Sequence, residues 1–188
     1  MEDLISRAKG LILTPGKEWD NIERERTSIP DLYTRYIVIL AVIPPFATFL
    51  GSWLFGVHGL HPTFLGGLWR AVIQYALSLP ALYGIAFVIS MAAPHFDGRS
   101  DDRRALALAA YSYTPAWLAS AFGLIPGLRF LDVLGFYGIY VFSLGLTRML
   151  KVPRENLDVF TLVTLVLSVA MSALHAGIVS WIAPAQLS

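Results

Sequence analysis

The chain has 188 residues, with 14 Lys and Arg against 13 Asp and Glu and a formal charge of +1, so its balance gives no argument for a nucleic-acid partner. A composition 56% hydrophobic and only 14% charged is foreign to a soluble domain of this length and implies a membrane domain. Cysteine is absent, which excludes disulfides, thiol catalysis and thiolate metal sites.

The first 13 residues mix charge with apolar residues and lack an unbroken hydrophobic run, so no cleavable signal is expected. Leu4, Ile5, Ala8, Leu11 and Ile12 recur at helical spacing among Glu2, Asp3, Arg7 and Lys9, the pattern of a short amphipathic helix. Thr14 as N-cap and Pro15 in the first turn restart a helix through Lys17, Glu18, Trp19 and Ile22. Two placements fit this segment. It lies in the cytoplasmic interface with Trp19 at headgroup depth, where Thr14, Pro15, Glu18, Trp19 and Ile22 would meet a partner or the bilayer, or its apolar stripe packs on the protein's own bundle. Residues 1–30 are read as these cytoplasmic helices and 31–188 as the transmembrane domain.

Ser28 and Asp31 predict a further helix start ahead of the first span. Five apolar stretches follow: Tyr36 to Phe55, Ala71 to Ala93, Ala105 to Ile125, Phe130 to Thr147 and Val159 to Ile182. At 1.5 Å per residue each crosses, or nearly crosses, a ~30 Å hydrocarbon core. The expected fold is therefore all-α, a bundle of five transmembrane helices. Basic residues precede the first span (Arg7, Lys9, Lys17, Arg24, Arg26, Arg35) and cluster between the second and third (Arg99, Arg103, Arg104) and around the fourth-to-fifth connection (Arg148, Lys151, Arg154). The opposite side holds Arg70 and Arg129, which places the N-terminus in the cytoplasm and the C-terminus outside.

Pro44 and Pro45 remove two backbone donors inside the first span and should kink or break it, as in a transporter's discontinuous helix or a simple structural bend. In the outer loop, His58 and His61 lack a third ligand, so no metal site is expected. Gln74, Ser78, Pro80 and Ser90 of the second span are expected to face other helices. His95, Asp97, Asp101 and Asp102 resemble a metal-and-phosphate cluster at first sight, yet the same residues are better used if Ser100 caps the third span while Asp101 and Asp102 meet its dipole. Pro115 leaves the Tyr111 carbonyl without its helical donor. A kink is predicted there, with Gln74, Tyr111 and Thr114 at the most polar interior point.

Alanines at 105, 107, 109, 110, 116, 119 and 121 make the third span small-surfaced and suited to close contact. Its block Tyr111, Ser112, Tyr113, Thr114, Pro115, Ala116 and Trp117, with Thr14, Pro15, Glu18, Trp19 and Ile22, resembles the bacterial branch of the Yip family. Phe96, Gly98, Pro126, Tyr137, Tyr140, Gly145 and Pro153 extend the resemblance over nearly the whole chain. It implies a five-helix domain in the bacterial inner membrane with a cytosolic N-terminus. Eukaryotic members associate with Rab GTPases and with one another. This chain lacks their long N-terminal region, which argues against a Rab-type partner.

In the fifth span, His175 is an ionisable group within hydrocarbon, either functional or hydrogen-bonded near the headgroups. Ser168, Ser172, Ala176 and Ser180 form a small-residue ridge where a helix is expected to pack. Motifs of hydrolases, zincins and phosphate-binding loops are missing, so no enzyme, catalytic residue or cofactor is expected. Two functions remain. One is a membrane scaffold or adaptor that self-associates or binds other membrane proteins and engages partners or the bilayer through its N-terminal helices. The other is a small transporter, channel or lipid-translocating protein, with Gln74, Tyr111, Thr114, Pro115 and His175 along a polar path.

Overall fold

The computed structural model of the protein describes residues 2–25, 27–56 and 61–184, so Arg26 and His58 lie outside the described residues. Among those residues the regular structure is entirely helical. α1 (Glu2–Leu13) and α2 (Pro15–Arg24) form an N-terminal hairpin. Four helical runs are long and apolar enough to cross a membrane: Ile29–Phe55, Phe64–Phe96, Gly127–Met149 and Arg154–Ile182. The expected third span is not one of them. It is divided into α7 (Asp102–Ser112), α8 (Thr114–Ala119) and a 3₁₀ segment Ser120–Leu124, because Pro115 cannot donate to the carbonyl of Tyr111.

The other runs are also composite. The first comprises α3 (Ile29–Leu32), a π-helical turn Tyr33–Ile37, α4 (Val38–Leu40) and α5 (Ile43–Phe55). Its break falls at Ala41 and Val42, since Pro44 and Pro45 leave the carbonyls of Leu40 and Ala41 without helical donors and are accommodated in the first turn of α5. Beside the break, the Tyr75 hydroxyl donates to the Val38 carbonyl at 2.9 Å. α6 (Phe64–Ala92) is the second span, and Pro80 lies within it. The fourth begins as a 3₁₀ run Pro126–Phe136 and continues as α9 (Tyr137–Met149). α10 (Leu157–Ile182) is the fifth and least covered, with 11% of its apolar window buried.

Capping follows the sequence in part. Ser28 accepts from the Asp31 amide at 3.2 Å, as expected. Thr14 occupies the N-cap position but its hydroxyl reaches back to the Gly10 carbonyl at 3.5 Å. α7 is capped by Asp101, which accepts from the Arg104 amide at 2.9 Å, and not by Ser100, whose hydroxyl pairs with Ser90 at 3.0 Å. Asp97 takes a hydrogen bond from Asn156 at 3.0 Å. Among the described residues no group of His, Asp or Glu is arranged to hold a metal ion.

α7 is the middle of the bundle. All of Ala105 to Ser112 is buried, and the helix packs between α6 and α9. Small residues permit the approach. A Cβ at Gly138 would stand 2.5 Å from the Ser112 carbonyl oxygen, and one at Gly145 would stand 2.5 Å from a Leu108 methyl and 2.7 Å from the Trp19 ring. On the far side, a Cβ at Gly51 would meet the Gly123 carbonyl at 2.5 Å, which fixes the 3₁₀ segment against α5.

The ridge expected on α10 is not a packing surface within the chain. Ser172 and Ala176 are exposed, Ser168 is half-buried, and Ser180 accepts from Arg70 at 3.2 Å. Arg70 also donates to the Ala183 carbonyl, satisfying the C-terminal end of α10 and tying it to the start of α6. Gly138→Ala is expected to lower stability by about 1–3 kcal/mol, because the backbone of α7 must retreat. Gly177→Ala, where nothing lies within 4 Å, should be neutral or slightly stabilising. Thermal unfolding of both variants in one detergent checks the contrast.

Candidate functional site

Where the interrupted first and third segments meet, polar and aromatic groups converge under the N-terminal hairpin. The Thr114 hydroxyl, fully buried, bonds the Tyr36 hydroxyl at 2.7 Å. Tyr111, one turn before Thr114, stands edge-on to Tyr36 with ring centroids 4.8 Å apart and edge-on to Trp19 at 6.1 Å. The Arg7 guanidinium lies 5.7 Å from the Tyr111 ring centre and pairs with Glu18 and with Glu25, the latter at 2.6 Å. Burial pulls the Arg7 pKa down, but the Glu25 hydrogen bond and the surrounding negative groups carry it above the ordinary guanidinium value, so the cation is held.

Trp19 closes the arrangement. Its side chain is fully buried and its indole N–H donates to the Val141 carbonyl at 2.9 Å, with the ring laid over Gly145. Pro15 and Ile22 are buried beside it, and Glu18 is engaged by Arg7. Of the two placements open for this segment, Trp19 therefore takes the one against the protein's own bundle. At the rim Arg148 pairs with Asp20 at 2.8 Å, and Lys151 pairs with Glu23. These exposed pairs add little individually and mainly orient α2 along the C-terminal end of α9.

Tyr111, Thr114 and Pro115 thus come together, while Gln74 and His175 do not join them through any hydrogen bond or ring contact. Gln74 is half-buried on α6 and makes no hydrogen bond to a described residue, and the Thr114 hydroxyl pairs with Tyr36. His175 is half-buried on α10 and likewise lacks the hydrogen bond expected near the headgroups. Arg7, Glu25 and Tyr36 were not singled out from the sequence. A signal for Arg7 was present, since it shares a helical face with Leu4, Ala8 and Leu11, where an unpaired cation would be costly.

The arrangement holds no nucleophile paired with a base and no cluster of metal ligands among the described residues. It is a satisfied polar junction within an all-helical, multi-pass membrane protein. Residues 9–183 match the Yip1 domain, and the chain belongs to that family. It is 28% identical over 174 residues to the inner membrane protein YohC of Escherichia coli K12, covering 88% of this chain and 89% of that one. The YohC protein of Escherichia coli O6:H1 matches to the same extent. No solved structure matches the chain at a significant level. With this kinship and its apolar helices, the protein is a multi-pass protein of the inner membrane.

Trp19→Ala should cost about 3–5 kcal/mol and loosen α1 and α2 together. In a variant keeping Trp19 and replacing the other four tryptophans by Phe, emission should be blue-shifted and indifferent to lipids brominated near the headgroup. Strong quenching by those lipids would place the indole outside the bundle.

Proposed function

We propose that this Yip-family protein is a non-enzymatic membrane scaffold, with its N-terminal hairpin on the cytoplasmic side and its C-terminus outside. The observation that carries this reading is the closure of the interior junction. Thr114 is satisfied by Tyr36, Tyr111 is enclosed by Tyr36, Trp19 and Arg7, and the hairpin covers them from one end. A transport path along the broken first and third segments would need polar groups left open to a solute. Here they are turned on one another.

In this reading the broken third segment still crosses the bilayer, giving five passes. Its last residues reach the outer half of α5 at Gly51, and the 3₁₀ run returns beside α8, with Gly135 against Ala116. The basic residues of the two loops facing the hairpin support the inward side. Partner or bilayer contact falls to residues of α1 that face outward: Ile5, Ile12 and Leu13 are 51%, 37% and 75% exposed, whereas the Trp19 face is occupied. Self-association would use the uncovered flank of α10, where Ser172 and Ala176 sit among exposed apolar residues.

Single cysteines introduced at Lys17, Arg99 and Val152 should be labelled from the cytoplasmic side, and those at Leu60, Arg129 and Ser188 from outside. Cytoplasmic labelling at Arg129 would remove the third crossing. Reconstituted protein should move no ion, solute or lipid above empty liposomes, while Ile5→Ser with Leu13→Ser should weaken partner capture or membrane shaping without lowering stability. Robust flux through the wild-type protein, lost in Thr114→Val, would establish the transport reading instead.

A further inference from the structure

Serine and threonine hydroxyls in these spans are mostly consumed locally. Thr34, Ser52, Ser78, Ser120, Ser143 and Thr147 each donate to a carbonyl three or four residues back, at 2.6 to 3.3 Å. Three buried hydroxyls have no partner at all among the described residues. The side-chain oxygens of Ser112, Thr161 and Thr164 are buried and make no hydrogen bond, and all three line one cavity. Ser112 and Thr164 are only 7% and 6% exposed. Buried hydroxyls without a partner that face one cavity from two helices call for an explanation, and a bound ligand supplies one.

The cavity, about 290 Å³, is bounded by α9 and α10 with α6, α7 and the 3₁₀ run behind them. Its walls are otherwise largely apolar, with Ile85, Phe142 and Leu165 among them, and Asp132, Tyr113 and Ser168 complete the polar part of the lining. It is partly open beside Phe136, which lines it and is 66% exposed next to Val133 and Leu134, so entry is through the hydrocarbon-facing flank. A ligand reaching it must be dissolved in the bilayer. It must also carry hydrogen-bonding groups at the level of the hydroxyls.

We infer that this groove holds one diacyl phospholipid, its ester oxygens on the hydroxyls of Thr161, Thr164 and Ser112 and an acyl chain along the apolar wall toward Phe136. Depth supports the assignment. Thr161 and Thr164 lie about 6 and 10 Å along α10 from Leu157, its first residue, near one end of a span that crosses a ~30 Å hydrocarbon core, the end at which ester groups are within reach. Arg154, exposed and without an ion pair, precedes α10 by less than one turn and stands at phosphate level. Asp132, the carboxylate on the lining, sits in the 3₁₀ run ahead of α9, beyond the opposite end of that helix. The choice of the inner leaflet rests on the orientation proposed above; occupancy of the groove does not.

The test is native mass spectrometry of the full chain in detergent, supplied with palmitoyl-oleoyl phosphatidylglycerol. This reads the groove whichever way the chain is threaded, so its failure is separate from a failure of cysteine topology. One lipid should survive conditions that strip the rest, and it should raise the melting temperature. Ser112→Ala with Thr161→Val and Thr164→Val should weaken retention by about tenfold or more, through loss of three hydrogen bonds, with helicity unchanged. Leu165→Trp, which fills the groove, should do the same and serves alone if the triple variant does not fold. Equal retention by wild type and Leu165→Trp would overturn the inference, as would a wild-type groove holding only water. Dimers cross-linked through Ser168→Cys and free of lipid would assign the groove to a second copy of the chain, with the same consequence.

Discussion

An indole laid over a helix position without a side chain joins the two parts of this molecule. Trp19 fits because Gly145 leaves α9 bare, and its N–H is spent on the Val141 carbonyl within the bundle. From that anchor, α2 is fixed along α9, α1 follows through Arg7 and Glu18, and the hairpin closes over Tyr111. The same glycine admits Leu108 of α7, so the contact that holds the N-terminal helices also sets the spacing of the central helix. Removing the indole therefore affects the seam between α7 and α9 as well as the N-terminal segment.

Proline shapes the rest by subtraction. Each break removes backbone donors where water is scarce, and hydroxyls gather around it: Tyr75 at the first segment, and Tyr36 with Thr114 at the third. The outcome at the third segment is a central element too irregular to count as a span on its own, yet more deeply buried than any continuous span. Its alanines supply the compactness that a larger-surfaced helix could not, and two glycines of α9 match them. Where no break exists, most hydroxyls return to their own helix. The three buried hydroxyls without a partner all line one groove, and this contrast is what distinguishes a ligand-shaped space from an imperfectly packed one.

The bundle's flanks divide by partner. α6, α7 and α9 spend small residues on one another, whereas α10 presents Leu162, Val166, Val169 and Trp181 outward and keeps few inward contacts. The groove lies at the junction of α10 with α9. Scaffolding and lipid occupancy are physically compatible on this face, since a bound chain would fill the space beside Phe142 and set the position of α10.

The sequence by itself determined the class: long apolar runs without charge can be stable only in a bilayer, and the placement of Arg and Lys orders the loops. It also marked the local events, because proline effects and the Ser28 cap depend on near neighbours in the chain. The Tyr111 to Trp117 block and the Thr14 to Ile22 segment were legible as a family likeness, but their contact was not, since indole and glycine lie more than a hundred residues apart. Only the tertiary structure packed Trp19 on the bundle, paired Tyr36 with Thr114, and left Ser172 and Ala176 uncovered. Periodicity reports which face of a helix is apolar or small. What that face meets is decided by where the other helices stand, and a buried hydroxyl without a partner becomes visible only once its neighbours are in place.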